Sequence, residues 1–252
     1  MHSSKLNAAK ARVRRLVRAF GYDVRQRRPE LIDYLNSRAI NLVIDVGANS
    51  GGFGAELRAD GYSGSILSFE PADQPFQDLA ALTANDPKWK AKKLALGQTS
   101  GWAKLNVSRF DTFSSLLPQT TNAAAFEKYS AVDHAEIVEV CRLDDVCKLQ
   151  GSDRPFLKID TQGFEQQVLS GARNTLSSML GVLLEIPIVH MYEQVWSFEE
   201  ASRFMRSAGF VLAQVKPVNY LWRQDPVSVS ELDCLFRRMN EAFDGIAFGG
   251  FN

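Results

Sequence analysis

The chain has 252 residues, of which 45% are hydrophobic and 23% charged, as is typical of a globular protein with one large core. Its 29 basic and 29 acidic residues cancel to a formal net charge of zero, so no global positive field favours nucleic acid as a partner. The three cysteines form no CxxC pair, and no long apolar span or signal-peptide pattern is found, so we expect a soluble, cytoplasmic protein without a disulfide framework.

Residues 1–40 are predicted to form a helical extension of the main domain. The stretch is rich in lysine and arginine, and its apolar residues recur at helical spacing. These apolar positions are Val13, Leu16, Val17 and Phe20. The pattern favours a basic amphipathic helix that docks on the main domain, contacts an anionic membrane surface through residues 5–20, or serves as a transit peptide. A second short helix is expected to begin at Pro29.

Residues 41–240 are predicted to form one α/β domain, followed by a tail over residues 241–252. Strand-like and helix-like segments alternate there, as in a parallel sheet with crossover helices. The predicted strands cover residues 42–47, 65–70, 91–96, 155–160, 181–186, 210–216 and 231–238. The predicted helices cover residues 52–60, 74–85 and 164–179, with a further helix capped by Ser197 and ended by Gly209. Because no helix separates the last two strands, we expect them to pair antiparallel.

The stretch 101–150 breaks this alternation. It holds extended pieces and small hydroxyl residues, and the segment "IVEVCRLDDV" alternates like a strand. We therefore predict an insertion of undefined fold over the C-terminal edge of the sheet.

The first strand and the turn after it, "LVIDVGANSGGFG", predict a ligand site. Asp45 ends a strand that is otherwise apolar, and the glycines let the backbone turn and approach a ligand closely. The spacing is not that of a P-loop, and Asn49 replaces the second glycine of a dinucleotide-binding turn. Asp45 would repel a pyrophosphate but suit a cationic ligand. The turn therefore favours a nucleoside-like ligand without phosphates.

The second strand ends in "ILSFEP", where Pro71 stops the strand after Glu70. A carboxylate has two oxygens with which to accept hydrogen bonds from both hydroxyls of a ribose. Glu70 is therefore a candidate for binding an adenosine, although an acid before the N-terminus of the next helix is the structural alternative. After the third strand, residues 95–97 are small enough to lie beside a flat base, and a plain tight turn explains them equally well.

The fourth strand and its turn, "FLKIDTQGFEQQVLSGA", give the strongest signal. Lys158 and Asp160 interrupt an apolar strand, and a buried acid is costly unless it is paired or used. Asp160 lies at the carboxyl end of the strand, where ligands of such sheets bind, so a functional role is favoured over that of a satisfied structural acid. Asp160 and Glu165 could alternatively hold a divalent ion.

Together these motifs resemble the FkbM family of S-adenosylmethionine-dependent methyltransferases over roughly residues 40–190. The segments that carry the resemblance are "VIDVGANSGGF", "SFEP" with Phe76, "ALG" with Gly101, "SSL" at 114–116, "LDDV" at 143–146 and "LKIDTQGFEQQVLSGA". The resemblance implies a class I methyltransferase (Rossmann-like) α/β fold, whose mostly parallel seven-stranded sheet has the order 3-2-1-4-5-7-6 and a C-terminal antiparallel hairpin. Gln162 departs from the family, which often has an acid before the glycine that follows the aspartate.

The resemblance implies S-adenosylmethionine as cofactor, with the first turn lining its methionine side, Glu70 holding the ribose and Leu96 near the adenine. The implied cofactor-binding residues are Asp45, Gly47, Ala48, Asn49, Gly52, Glu70, Pro71, Leu96 and Asp160. No metal ligands are assigned. The implied acceptor is a hydroxyl of a sugar, glycan, glycolipid or secondary metabolite.

A hydroxyl is a poor nucleophile at neutral pH, so a general base is expected beside it. Asp160 is the first candidate for that base or for orienting the acceptor, followed by Glu185 and His190 just past the fifth strand. Two other functions remain open. A nicotinamide-dependent oxidoreductase is disfavoured by Asn49 and by the terminal hairpin, and a non-catalytic adenosyl-binding module would bind the cofactor without turnover.

Overall fold

The computed structural model describes residues 29–221 and 225–239, together with the isolated positions 12, 13, 15 and 19. Apart from those four positions, the predicted basic helix of residues 5–20 lies outside the described residues, as does the tail of residues 241–252. The helix and its docking or membrane contact therefore remain predictions. None of the helices in the described part of the chain combines the length and apolar character needed to cross a membrane.

The described residues form eight α-helices and ten strands. The helices are α1 (Leu31–Ser37), α2 (Gly52–Ala59), α3 (Asp73–Thr83), α4 (Glu127–Ser130), α5 (Leu143–Val146), α6 (Glu165–Ser170), α7 (Arg173–Ser178) and α8 (Phe198–Ser207). The strands are β1 (Leu42–Val46), β2 (Ser65–Phe69), β3 (Trp89–Lys92), β4 (Ala95–Leu96), β5 (Gly101–Ser108), β6 (Val132–Cys141), β7 (Pro155–Ile159), β8 (Gly181–Pro187), β9 (Phe210–Leu221) and β10 (Asp225–Arg238). Short 3-10 turns cover Asp111–Phe113 and Thr121–Phe126.

Seven strands form the central sheet in the order β3-β2-β1-β7-β8-β10-β9. The pairs from β3 to β8 are parallel, and β10 is antiparallel to both β8 and β9. Numbered within this sheet alone, the order is 3-2-1-4-5-7-6 with an antiparallel C-terminal hairpin. The fold class expected from the sequence is therefore confirmed.

Apolar side chains cover both faces of the sheet, because the central strands are apolar at alternate positions on each side. Ile44 packs on one face with Leu157, and Val43 packs on the other face with Phe156. All four side chains are fully buried. The polar ends of the strands are thereby presented at a single edge, where their carboxyl ends meet.

Three predicted elements differ from the observed ones. The strand predicted at 91–96 is divided, because β3 ends at Lys92 and β4 pairs with β6 in a second sheet. The helix predicted at 164–179 is divided at Gly171, where an added Cβ would lie 1.9 Å from the backbone oxygen of Gly97. The long connection predicted between the last two strands is mostly strand, since β9 continues to Leu221 and β10 begins at Asp225.

The insertion of residues 101–150 contributes β5 and β6 to a second sheet of order β4-β6-β5, whose third strand, β4, precedes the insertion. β5 and β6 form an antiparallel pair, and β4 joins β6 in parallel. The Ser115 hydroxyl, just after β5, donates a 2.7 Å hydrogen bond to the backbone oxygen of Gln162, in the turn after β7. This contact fastens residues 101–150 to the carboxyl edge of the central sheet.

Candidate active site

A cleft opens at the carboxyl edge of the central sheet. Its base comes from the ends of β1, β2, β7 and β8, and its walls come from the insertion and from the β9–β10 hairpin. The side chains that line it include Asn49, Glu70, Leu94, Leu96, Asp160, Gln162, Glu185, Asn219 and Glu231. Four acidic residues line the cleft, and none of the described lining residues is a lysine, arginine or histidine.

The turn after β1 approaches β7 so closely that glycine is required at position 47. Gly47 has a φ of +75°, and a Cβ there would lie 1.8 Å from the backbone oxygen of Asp160. The turn is fastened to β2, because the amides of Gly47 and Ala48 both donate to the Phe69 carbonyl at 3.0 Å. Gly47 and Asn49 line the cleft, whereas Ala48 is buried and Gly52 begins α2 outside the lining.

Asp45 belongs to a polar row that crosses three strands on one face of the sheet. It is in register with Ser68 of β2 and Lys158 of β7. The Ser68 hydroxyl lies 3.1 Å from Asp45 Oδ2, and Lys158 Nζ lies 3.4 Å from Asp45 Oδ1. The carboxylate is fully buried and is not part of the cleft lining. Asp45 holds Lys158 beneath the cleft, and its contact with a ligand stays a prediction.

Glu70 lies at the end of β2 and is 7% exposed. Its Oε2 accepts a 2.8 Å hydrogen bond from the Asn49 amide, and its Oε1 accepts one of 2.9 Å from the Ala72 amide. Burial raises the pKa of Glu70 to about 7, against the opposing effect of these two amides. The two amides fix the carboxylate, and because a carboxylate oxygen can accept more than one hydrogen bond, it can still accept hydrogen bonds from a ligand.

Asp160 and Glu185 form a carboxyl pair at the ends of β7 and β8. Gln162 Nε2 donates to both, at 3.1 Å to Asp160 Oδ1 and at 2.8 Å to Glu185 Oε2. Lys158 Nζ lies 3.3 Å from Asp160 Oδ2. Burial alone would raise the pKa of Asp160, but the Lys158 ammonium and hydrogen bonds from Glu185 and Gln162 lower it. Burial and the Asp160 charge raise the pKa of Glu185 well above its usual value, so Glu185 is the member of the pair that binds a proton more readily.

Glu165 supports the turn that carries Gln162 and does not line the cleft. It is 1% exposed, and its Oε1 accepts hydrogen bonds from the Thr161 amide, the Thr161 hydroxyl and the Gly163 amide at 2.9, 3.1 and 3.1 Å. Gln162 has a φ of +53°, a conformation that only a well-fastened turn maintains. Within the described ranges, no group of three or more histidine, cysteine or acidic residues could hold a metal ion. The alternative of a divalent ion between Asp160 and Glu165 therefore gains no support.

His190, the third candidate for a base, lies outside the cleft lining, and a catalytic role for it stays a prediction. Its backbone oxygen accepts hydrogen bonds from Thr120 Oγ1 at 2.8 Å and from Asn122 Nδ2 at 3.1 Å. The residue therefore fastens the loop after β8 to the insertion. Pro71 and Leu96, also predicted, do line the cleft.

The sequence reasoning missed Asn219 and Glu231, which the β9–β10 hairpin brings to the far end of the cleft. Their side chains are hydrogen-bonded to each other, and Glu231 is 8% exposed. A signal was present, since Glu231 and Asp233 interrupt an apolar strand in the same way as Lys158 and Asp160 do. The place of Glu231 in the cleft depends on the antiparallel register of β10 with β8, which pairs Glu231 with Pro187 and Asp233 with Glu185.

The chain matches one protein-family model and is similar in fold to several solved structures. The family model of the FkbM methyltransferase domain matches residues 45–212. No curated protein matches the chain in sequence.

Solved structures give distant likenesses. A TehB-like S-adenosylmethionine-dependent methyltransferase from Corynebacterium glutamicum is 11% identical, with 95% of this chain and 100% of that chain covered and a TM-score of 0.41. An rRNA methylase from Streptococcus thermophilus is 10% identical, with 86% and 100% covered and a TM-score of 0.46. TehB from Haemophilus influenzae is 9% identical, with 82% of this chain and 61% of that chain covered and a TM-score of 0.46.

Proposed function

Because the chain belongs to the FkbM methyltransferase family, we propose that it uses S-adenosylmethionine to methylate a hydroxyl group of a sugar, glycan, glycolipid or secondary metabolite. One observation carries the proposal. A single cleft holds a fixed acid, Glu70, at one end, and Asp160 of the carboxyl pair lies two strands away along the sheet. Strands are about 4.8 Å apart, so this separation of about 10 Å suits a ligand that is held at its ribose and reacts at its other end.

The cofactor end of the cleft fits a nucleoside without phosphates. Glu70 offers carboxylate oxygens for a ribose, and the neighbouring wall is apolar at Leu94 and Leu96. The absence of lysine, arginine and histidine from the described lining leaves no cation to neutralise a pyrophosphate. When bound, S-adenosylmethionine supplies an electrophilic methyl group on its sulfonium.

The acceptor end offers a proton acceptor at a fixed position. Asp160 is ionised, because Lys158 lies 3.3 Å from it, and its side chain is 32% exposed toward the cleft. Its carboxylate can accept a hydrogen bond from an acceptor hydroxyl and take up the proton as the oxygen becomes alkylated. Gln162, which donates hydrogen bonds to both Asp160 and Glu185, keeps Asp160 in one orientation, which contributes to rate by alignment.

Calorimetry tests the cofactor end. We expect S-adenosylhomocysteine to bind and NAD to give no heat. Glu70→Gln should weaken binding of S-adenosylhomocysteine by about 10- to 100-fold, the cost of losing hydrogen bonds to a charged group. Glu139→Gln, on the exposed face of β6, is the matched control and should bind normally. Binding of NAD in place of S-adenosylhomocysteine would support the oxidoreductase alternative and contradict the proposal.

Turnover tests the acceptor end. Release of S-adenosylhomocysteine is measured across a panel of hydroxylated sugars, glycolipids and phenolic metabolites. Asp160→Asn should lower kcat by about 10²- to 10⁴-fold with little change in cofactor affinity, because it removes a base and keeps the shape. Asp133→Asn, which is exposed on β6, controls for the amide substitution. Full activity of Asp160→Asn on the best acceptor would refute the assignment, and cofactor binding without turnover on any acceptor would favour a binding module.

A further inference from the structure

The acceptor end of the cleft has a marked excess of carboxyl groups over cations. Asp160, Glu185 and Glu231 line it, and no described lining residue is basic. The nearest cation, Lys158, is 8% exposed and already lies against Asp45 and Asp160. An anionic group entering this end would meet carboxylates and no counter-charge.

Glu231 is the residue for which a counter-charge is missing. It is more than nine-tenths buried and lines the cleft, yet its one hydrogen-bond partner among the described residues is the Asn219 side-chain amide on Oε2. The other oxygen, Oε1, receives no hydrogen bond from the described residues. Burial raises the pKa of Glu231, and the charges of Asp160 and Asp233 raise it further. A carboxyl group in this environment is stabilised most by a cation that supplies both charge and hydrogen bonds.

The position of Glu231 assigns it to the acceptor and not to the nucleoside. Its strand, β10, lies two places beyond β7 in the sheet and four places beyond β2, which carries Glu70. At about 4.8 Å per strand, Glu231 is roughly 10 Å past the strand of Asp160, on the side away from Glu70. A ligand that contacts Glu231 therefore approaches the reacting position from the opposite end of the cleft.

We propose that the acceptor is a hydroxylated amine, such as an amino sugar unit, whose ammonium group binds Glu231 while a hydroxyl of the same molecule lies against Asp160. This inference rests on the proposed function and narrows its substrate class. An ammonium has three donors and no acceptor, which matches a cleft end composed of carboxylate and amide oxygens. The same charges select against phosphorylated or carboxylated acceptors.

Matched acceptor sets test the inference with the full chain. Each set contains a free amine, its N-acetyl amide and the corresponding alcohol on one ring: glucosamine, N-acetylglucosamine and glucose as octyl glycosides, and an aminocyclitol set built in the same way. Binding to protein saturated with S-adenosylhomocysteine is followed by saturation-transfer NMR, and turnover by release of S-adenosylhomocysteine. We expect the amines to be preferred about tenfold or more, as befits a buried ion pair.

The Glu231→Gln variant tests whether Glu231 causes the preference for amines. The variant keeps the shape and the hydrogen bond with Asn219, so we expect the preference for amines to fall to about threefold or less with cofactor affinity unchanged. Glu139→Gln is the control and should keep the full preference. A matching loss for amines and amides alike would contradict the assignment to Glu231.

Comparison of the amine, amide and alcohol acceptors in the unsubstituted protein tests the proposal even if the Glu231→Gln variant misfolds. Equal or better binding of the amides or alcohols, or no binding by any amine, overturns it. Failure of S-adenosylhomocysteine to bind overturns the proposed function itself. Binding of S-adenosylhomocysteine without a preference for amines overturns this inference alone.

Discussion

At the residue scale, Lys158 decides which carboxyl groups of the site stay ionised. It lies between Asp45 and Asp160 and is almost wholly buried. Burial alone would lower its pKa, but the charges of Asp160, Asp45 and Glu185 outweigh burial and raise it. Lys158 therefore stays charged and stabilises the Asp160 carboxylate, so that Glu185 takes up a proton before Asp160 does as the pH falls.

This arrangement predicts a bell-shaped pH dependence of kcat. Activity should fall at low pH as Asp160, whose pKa is lowered, becomes protonated, and at high pH as Glu185, whose pKa is raised well above its usual value, loses its proton. Glu185→Gln keeps a hydrogen-bond donor to Asp160 but cannot titrate, so its alkaline limb should disappear while activity stays within about tenfold. Carbon NMR of the two carboxyl groups checks the same order of titration without an acceptor. A pH profile of Glu185→Gln identical to that of the unsubstituted protein would contradict the assignment of the alkaline limb to Glu185.

At the scale of elements, Asp144 connects α5 to the N-terminus of α7. Its Oδ1 accepts hydrogen bonds from the amide and the hydroxyl of Thr175, both at 2.8 Å, and its Oδ2 accepts one from the Asn174 amide at 3.1 Å. The first amides of a helix lack partners within the helix, so this carboxylate satisfies two of them from outside. The "LDDV" motif that supported the family resemblance thus has a structural role in this fold.

Asp144→Ala should lower the free energy of unfolding by about 1 to 2 kcal/mol, the usual cost of removing a helix cap. Burial alone would raise the pKa of Asp144, but the hydrogen bonds from Thr175 and Asn174 lower it overall. The contribution is therefore complete above the unfolded-state pKa of about 3.9 and is lost as the pH falls through the lower folded-state value. Urea denaturation at several pH values measures both effects. Asp145→Ala, an exposed neighbour in the same helix, is the control, and an equal loss in both variants would contradict the capping role.

At the scale of the whole molecule, Arg238 fastens the last strand to the two helices beside it. Its Nε donates to the Met179 oxygen at 2.8 Å, its Nη1 donates to the Ala208 oxygen at 3.2 Å, and its Nη2 donates to the Leu176 oxygen. These carbonyls end α7 and α8, whose last carbonyls lack partners within the helix. The guanidinium also stacks 4.1 Å from the centre of the Phe210 ring.

Arg238→Lys should therefore destabilise the chain although it keeps the charge. An ammonium cannot reach three carbonyls in fixed directions or stack on a ring as a planar guanidinium does, and we expect a loss of about 2 kcal/mol or more. Arg206→Lys, exposed on α8, should change stability by less than about 0.5 kcal/mol. Chemical denaturation followed by circular dichroism provides the comparison. Similar midpoints for the two variants would show that Arg238 has no such role.

Sequence patterns predicted the parts of this fold that depend on local composition. The apolar runs gave most of the strands of the central sheet, and the acids at the strand ends gave Glu70 and Asp160. Sequence patterns could not predict the features that depend on the register between strands far apart in the chain. The match of Asp45 with Lys158 requires the pairing of β1 with β7, and the place of Glu231 requires the pairing of β10 with β8. Likewise, the break at Gly171 follows from its contact with Gly97, which no local pattern encodes.

The two ends of the cleft rest on different stretches of the chain. Tight turns after β1 and β2 hold the end assigned to the nucleoside, and they tolerate little change, since Gly47 has no room for even a methyl group. The far end rests on Asn219 and Glu231 of a surface hairpin, where β9 is the edge strand and most of its side chains face solvent. If the hairpin binds the acceptor as proposed, substitutions in it change which acceptor binds and leave Asp160 and the cofactor end unchanged. Directed evolution toward new acceptors is therefore best begun in the hairpin, with the glycine turn held constant.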